Sequence, residues 1–473
     1  MLNKFKLKKM KIISKMLKMT AIFLVVLGTQ SCSNDDDNNI VDPGPQNIVE
    51  LAIATPELSS LVAALQAADG NLVSVLSGPG PFTVLAPTNE AFAAFLGGTP
   101  LDQVPSDVLS QILLNHVIAG DVLSTDLLNA GEGYASTSAT GAGGRNISLY
   151  FNTSNGVRFN DAGSVIPSGA DIDATNGTIH IIDGVLGLPS IVDHAVANDN
   201  FSTLVGALTA TGLDGAVAGL TQGTVLAPIN SAFEGLTLPT GNALVQTLLN
   251  HVVGANVFAD DLVAAGSGYT NTLAETMGGE NLSLYFNTED GVSFNGLSNV
   301  AQADVVATNG VIHAVDAVIT LPTIATFATS NSALSNLVAA LQLADTGTPT
   351  VPWINTVSDA SAGPFTVFAP TNGAFEDLLL ELDPSGNTAL GDLAPATVDA
   401  VLLMHVVSGN VQSSGLPNGT VGTLGGNITA DNTAFTLTDP NNRVSNIVTS
   451  LVDIQGVNGV VHVIDKVILP AQD

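Results

Sequence analysis

The sequence predicts three tandem domains that mix helix and strand, and three observations carry that reading. A segment of one pattern occurs three times, as Phe82-Thr-Val-Leu-Ala-Pro-Thr-Asn-Glu-Ala-Phe92, Gly223-Thr-Val-Leu-Ala-Pro-Ile-Asn-Ser-Ala-Phe233 and Phe365-Thr-Val-Phe-Ala-Pro-Thr-Asn-Gly-Ala-Phe375. The copies stand about 140 residues apart, the length of an independent domain rather than of a solenoid repeat. Helical and strand periodicities surround each copy in the same order.

Each unit opens with apolar residues at i, i+3, i+4 and i+7: Leu58, Leu61, Val62 and Leu65; Phe201, Leu204, Val205 and Leu208; Leu334, Leu337, Val338 and Leu341. This spacing puts one helix face in the core. The T-V-[LF]-A-P run that follows is too short for a helix and is ended by proline, so it reads as a strand. Asn89, Asn230 and Asn372 then stand where an N-cap would open a short helix carrying Ala-Phe inward. A second amphipathic helix leads to His116-Val117, His251-Val252 and His405-Val406. Each unit closes with Asn176-Gly-Thr-Ile-His-Ile-Ile-Asp183, Asn309-Gly-Val-Ile-His-Ala-Val-Asp316 or Asn458-Gly-Val-Val-His-Val-Ile-Asp465. Asn-Gly signals a hairpin turn, and the β-branched residues after it form strands. Units one and two also share Asn146-Ile-Ser-Leu-Tyr-Phe-Asn-Thr153 and Asn281-Leu-Ser-Leu-Tyr-Phe-Asn-Thr288, which points to duplication. Unit three differs here and carries a longer stretch, with Trp353, before its T-V-F-A-P strand.

In these ordered motifs the chain resembles the fasciclin domain, over roughly residues 48 to 470. The resemblance implies an α+β fold, a β-wedge or sandwich flanked by small helices, in domains spanning 48–188, 189–321 and 322–470. It also implies secreted or cell-surface adhesion proteins, with cell-surface or matrix proteins or polysaccharides as partners. The tyrosine of the family's Tyr-His pair is replaced by Asn115, Asn250 and Met404. That departure argues against the integrin binding linked to the pair in animal relatives. The domains adjoin at Leu188-Pro189 and Leu321-Pro322 with almost no linker, so a semi-rigid rod is expected.

Seven of the eleven basic residues are lysines within the first eighteen positions, followed by an apolar stretch from Ala21 to Leu27 and then Gly28-Thr-Gln-Ser-Cys32. This is a signal peptide over residues 1–31, too short to span a membrane. It resembles a bacterial lipoprotein signal in which Cys32, the chain's single cysteine, becomes a lipidated first residue. Thr29 departs from the usual aliphatic residue of that pattern, and an ordinary secretory signal with an incidental cysteine is the alternative. Residues 32–47, with Ser33-Asn-Asp-Asp-Asp-Asn-Asn39, read as an acidic flexible tether. An acidic run after the cysteine also looks like the signal that sends some Gram-negative lipoproteins outward. An outer-membrane lipid anchor facing outward is therefore expected.

All 42 carboxylates lie after Cys32, against four cations, Arg145, Arg158, Arg443 and Lys466, a formal charge of −38 for that part. Nucleic acid and anionic membranes are poor partners for such a field. No calcium-loop pattern occurs, and no metal or cofactor is expected.

Histidine is the place to look for chemistry, because six of the seven occupy matched positions. His116, His251 and His405 continue the apolar stripe of a helix near its carboxyl end, which favours a structural role bonding a backbone carbonyl. His180, His313 and His462 lie on a strand three residues before an aspartate. That odd offset puts the two side chains on opposite faces and disfavours a shared metal. His194 has no counterpart and reads as a surface residue. Nucleophile elbows, P-loops, zinc-protease motifs and C-x-x-C are absent. Carboxylate pairs are too numerous to be specific. One tryptophan and four tyrosines make a sugar-stacking platform a weaker reading. The expected function is non-enzymatic adhesion through several domains, with polysaccharide binding or nutrient capture as the alternative.

Overall fold

The computed structural model describes residues 44–472, and those from Pro45 onward cluster as one unit. Cys32, the signal segment and most of the acidic stretch lie outside the described residues. Asn47, at the end of that stretch, caps the first helix, Ile48–Ala54, in a reciprocal capping box with Glu50.

Each domain is built around a parallel strand pair joining its two signature segments. In domain 1, Phe82–Pro87 runs beside Gly177–Ile182, with Phe82 opposite Gly177 and Pro87 opposite Ile182. The same pairing joins Thr224–Pro228 to Val311–Val315 and Phe365–Pro370 to Gly459–Ile464. A short antiparallel strand after the second helix, Val117–Ala119 in domain 1, flanks the first of the pair. These central strands are buried on both faces, so they read as continuous apolar runs rather than as alternation.

The two faces nevertheless serve two cores. Val84, Ala86, Ile179 and Ile181 pack against the N-terminal helices, where Leu58, Leu61 and Leu65 present the stripe expected from their spacing. Leu85 and Ile182 point the other way, toward Leu149, Phe151 and Phe159 of the outer hairpin. Helices on one side and a folded-over sheet on the other make the α+β wedge, repeated in domains 2 and 3.

The sheets close differently. In domain 2 the strand Ser298–Val306 is unbroken for nine residues and pairs with both Ser293–Phe294 and Val311–Val315, completing a closed barrel. The matching stretch of domain 1 is interrupted by a short helical turn, Pro167–Gly169, which leaves two short strands and an open eight-stranded sheet. Proline lacks the N–H that a continuous ladder needs. Domain 3 forms two four-stranded sheets.

Candidate functional site

The matched histidines sit on the two sides of the central strands. His116 follows the helix Ser106–Leu114, with Asn115 as its C-cap, and is buried. Its Nε2 accepts from Leu186 N–H at 2.9 Å, so Nδ1 carries the proton and donates to Ile112 O at 2.8 Å. His251 binds Thr247 O and Ile319 N–H, both at 2.8 Å, and His405 binds Val401 O at 2.8 Å and Ile468 N–H at 3.0 Å. Each ring ties a helix end to the strand exit that closes its domain. Burial lowers the pKa of all three to about 4. Protonating Nε2 would set two donors face to face, so the neutral ring is also held by geometry.

His180, His313 and His462 lie on the closing strand with the opposite tautomer. Nδ1 accepts from the backbone N–H of Asp171, Asp304 or Asp453 at 3.2, 3.3 and 3.2 Å. Nε2–H donates to the carbonyls of Val122, Val257 and Val411 at 2.8, 2.9 and 2.9 Å. Burial pulls His313 and His462 below the ordinary imidazole value. The carboxylate beside each ring is that of the aspartate whose N–H it accepts, not of the aspartate three residues on. Asp183, Asp316 and Asp465 instead accept from backbone amides across the sheet. No ring nitrogen of these six histidines is left for a metal or for proton transfer. Among the described residues no three His, Cys, Asp or Glu side chains converge on a metal site.

The signature asparagines differ from the sequence expectation. Asn89 and Asn372 are the first residues of their helices, not the caps; Thr88 and Thr371 cap instead, accepting from Ala91 N–H and Ala374 N–H at 3.2 Å. In domain 2, Ile229 stands at the threonine position, and Asn230 opens only a short helical turn, Asn230–Phe233. The asparagine side chains reach back to another helix. Oδ1 of Asn89, Asn230 and Asn372 accepts from the N–H of Ser60, Thr203 and Asn336 at 2.8, 3.0 and 2.9 Å. Their amides donate to the carbonyls of Pro56, Asp199 and Ser332. They satisfy the exposed first turn of a helix about 30 residues earlier, a long-range cap that local spacing does not reveal.

A second triplet escaped sequence reasoning. Asn176, Asn309 and Asn458, read only as turn residues, accept from the first N–H of each domain's opening helix, Ile48, Ile191 and Ile324, at 3.0, 2.9 and 2.9 Å. Their amides donate to two carbonyls each at the end of a further helix. Recurrence in all three units was the available signal. The turn also lies one residue earlier than Asn-Gly suggests: Ala174 pairs with Gly177, leaving Thr175-Asn176 as the loop.

His194 is a correction. It is fully buried rather than on the surface, with Nε2 3.2 Å from Val306 O and its ring edge-on to Tyr134 of domain 1 at 5.8 Å. Phe327 takes the same place against Tyr269 one domain later, also at 5.8 Å. Both interdomain contacts therefore follow one plan. Tyr134 Oη accepts from Asn198 and Tyr269 Oη from Asn331. Val306 N–H donates to Ser148 Oγ and Gln455 N–H to Ser283 Oγ, both at 2.9 Å. The first interface adds a backbone bond from Ala142 to Ala307 and Arg145, which lies over the Phe258 ring and pairs with Asp260.

One polar cleft of about 130 Å³ opens beside this first interface, lined by Tyr150, Asn152 and Arg158 from domain 1 and by Asp199 from domain 2. Trp353 is not a surface platform: it is buried, and its indole N–H donates to Asp399 at 2.8 Å.

Comparison with known proteins finds the fasciclin domain model matching residues 56–189, 199–322 and 332–470. The pig (Sus scrofa) transforming growth factor-beta-induced protein ig-h3 is 31% identical over 367 residues, 74% of this chain and 48% of that protein. The cell surface glycolipoprotein MPB83 of Mycobacterium bovis is 33% identical over 160 residues, 31% of this chain and 66% of that protein. The chain thus spans about half the length of the first relative. Among solved structures, a FAS1 domain pair from the insect cell adhesion molecule fasciclin I covers 56% of this chain and 96% of its own, with a TM-score of 0.36 and 20% identity.

Proposed function

The chain belongs to the fasciclin family, and from that premise we propose that it is a lipid-anchored surface protein whose three domains act together in adhesion or matrix interaction, without chemistry of their own. The observation that carries this is the repeated interface. Tyr134 with Asn198 and Tyr269 with Asn331 set successive domains in one arrangement, so three related faces are offered together. Weak contacts then add, provided the partner engages more than one face. The six matched histidines, closed into backbone bonds, support a binding role over catalysis.

The lipidated Cys32 and the acidic residues after it supply the tether in this reading, and the protein sits outward on an outer membrane. The likeness to a cell surface glycolipoprotein supports the surface location. The test is attachment of cells carrying the wild-type protein, the Cys32→Ala form or a deletion, with surface exposure checked by protease shaving. Reduced attachment in both variants and loss of the protein to protease support the proposal. A protected protein with unchanged attachment overturns it in favour of a periplasmic role.

A second reading, polysaccharide binding, is favoured by the polar cleft at the first interface, where the amide of Asn152, the guanidinium of Arg158 and the carboxylate of Asp199 come together. Glycan-array binding that disappears in Arg158→Ala, with the thermal melt unchanged, would select it.

A further inference from the structure

We propose that domain 3 carries a binding site for an alkyl chain, in a cavity of about 200 Å³ between the helices Asn372–Leu382 and Pro395–Leu403 and the segment Leu469–Gln472. The site stands apart from the adhesion reading and does not depend on it. Its walls are aliphatic, with Leu378, Leu379, Leu393, Val401 and Leu402 among them, and Phe375 adds a phenyl ring. The polar side chains that line it are Thr397, His405 and Gln472. Both nitrogens of His405 are already engaged with Val401 O and Ile468 N–H, so the imidazole offers an occupant no hydrogen bond. Apart from Thr397 and Gln472 the walls offer no polar side chain with a free group, so a polar occupant would regain few partners for the water it loses. The occupant is therefore hydrocarbon, and a dry cavity of ~150 Å³ is already known to hold a benzene-sized one.

The site is a property of domain 3. Its helix Asn372–Leu382 has 11 residues, against 8 in Asn89–Leu96 of domain 1 and a four-residue turn in domain 2. The extra turn, residues 380–382, brings Leu382 over the space and leaves it 56% exposed on the rim.

The electrostatics of the rim admit an acidic head. Next to Leu382, Glu381 pairs with Arg443 at 2.6 Å and Lys466 at 3.3 Å, and Arg443 also meets Asp439 at 3.4 Å, so two of the four cations that follow Cys32 make this cluster formally neutral. Elsewhere the acidic surface would repel a carboxylate or phosphate. A fatty acid and the acyl chain of an anionic phospholipid share this chemistry.

Titration calorimetry of the purified chain with dodecanoate, below its micelle concentration, tests the free-acid source. Flotation of the Cys32→Ala chain with phosphatidylglycerol vesicles tests the lipid source without a contribution from an anchor. Leu382→Glu places a charge on the rim outside the core, and Leu379→Trp fills the cavity from its wall; thermal melting establishes that each still folds. Saturable binding of one dodecanoate per chain, or vesicle flotation, weakened at least tenfold in a folded variant, supports the site. Absence of both signals in the wild type, or equal signals in the wild type and the folded variants, overturns it.

Discussion

The hydroxyl of Tyr134 in domain 1 accepts a hydrogen bond from the side-chain amide of Asn198 in domain 2 at 3.2 Å, and Tyr269 meets Asn331 in the same way one domain later at 3.1 Å. Each tyrosine also packs on a second tyrosine of its own hairpin, Tyr150 at 5.3 Å or Tyr285 at 5.0 Å. Burial raises the Tyr134 and Tyr269 pKa to about 12, so both phenols stay neutral and the contact is insensitive to pH over the working range.

Tyr269→Ala should therefore uncouple domain 3 from domain 2. It removes the ring from Phe327 and the acceptor from Asn331, a loss of about 2–4 kcal/mol by analogy with large-to-small core changes. Tyr269→Phe keeps the ring and should cost only about 1 kcal/mol. Differential scanning calorimetry should show a new, lower transition in the alanine variant. A thermogram superimposable on the wild type would mean that the interface does not couple the domains.

The threonine and asparagine of each signature segment should be separable by mutation. Thr88→Ala removes the cap of the helix Asn89–Leu96, whereas Asn89→Ala frees Ser60 N–H and Pro56 O at the start of a different helix. Each change should cost about 1 kcal/mol. Hydrogen exchange should locate the first loss in Asn89–Leu96 and the second in Ser59–Ala67. Identical exchange patterns would show that the two residues serve one helix end.

The asparagine result marks where the sequence was legible. Leu58, Leu61 and Leu65 announce a buried helix face because their partners are set by local periodicity, and the T-V-L-A-P run announces a buried strand for the same reason. Asn89 finds its partner 29 residues back, and no local rule selects Ser60 over its own helix. His194 looked solitary because its equivalent in domain 3 is Phe327; the position demands a flat buried ring against tyrosine, not a particular chemistry. Barrel closure in domain 2 turns on strand continuity through Ser298–Val306, a property of pairing across the sheet. The cavity of domain 3 depends on one extra helical turn meeting residues some 90 positions later, beyond the range of periodicity.

Gly177 should tolerate no side chain. It has φ +144°, and a Cβ there would lie 1.9 Å from Phe82 O, while the equivalent Gly459 would meet Phe365 O at 2.1 Å. The obstacle is backbone of the neighbouring parallel strand, which cannot swing away as a side chain can. Gly177→Ala should cost more than about 4 kcal/mol and abolish the native signal of domain 1. A denaturant midpoint within error of the wild type would refute this close approach of the strands.

The buried imidazoles set an acid limit. His116, His251 and His405 have folded pKa values of about 4, below the value near 6.5 expected in the unfolded chain. Protons therefore bind the unfolded state first. Their stabilising contribution is complete above about pH 6.5, declines as the pH falls, and is exhausted below about pH 4. A shift of that size corresponds to roughly 3 kcal/mol per histidine, and with His194, which burial also lowers to about 4, four such groups make the slope steep. The acidic surface acts in the opposite direction, since protonating carboxylates relieves repulsion, but ordinary carboxylates titrate near ~4. Between about pH 6.5 and 5 the histidines should dominate. His405→Asn should lower stability at pH 7 by about 2–3 kcal/mol, because Ile468 N–H or Val401 O loses its partner. The same variant should flatten the decline between pH 6.5 and 5, as one proton-binding difference is gone. Urea denaturation at half-unit pH steps measures both effects, and a variant with the full wild-type slope would show that His405 is not held neutral in the folded chain.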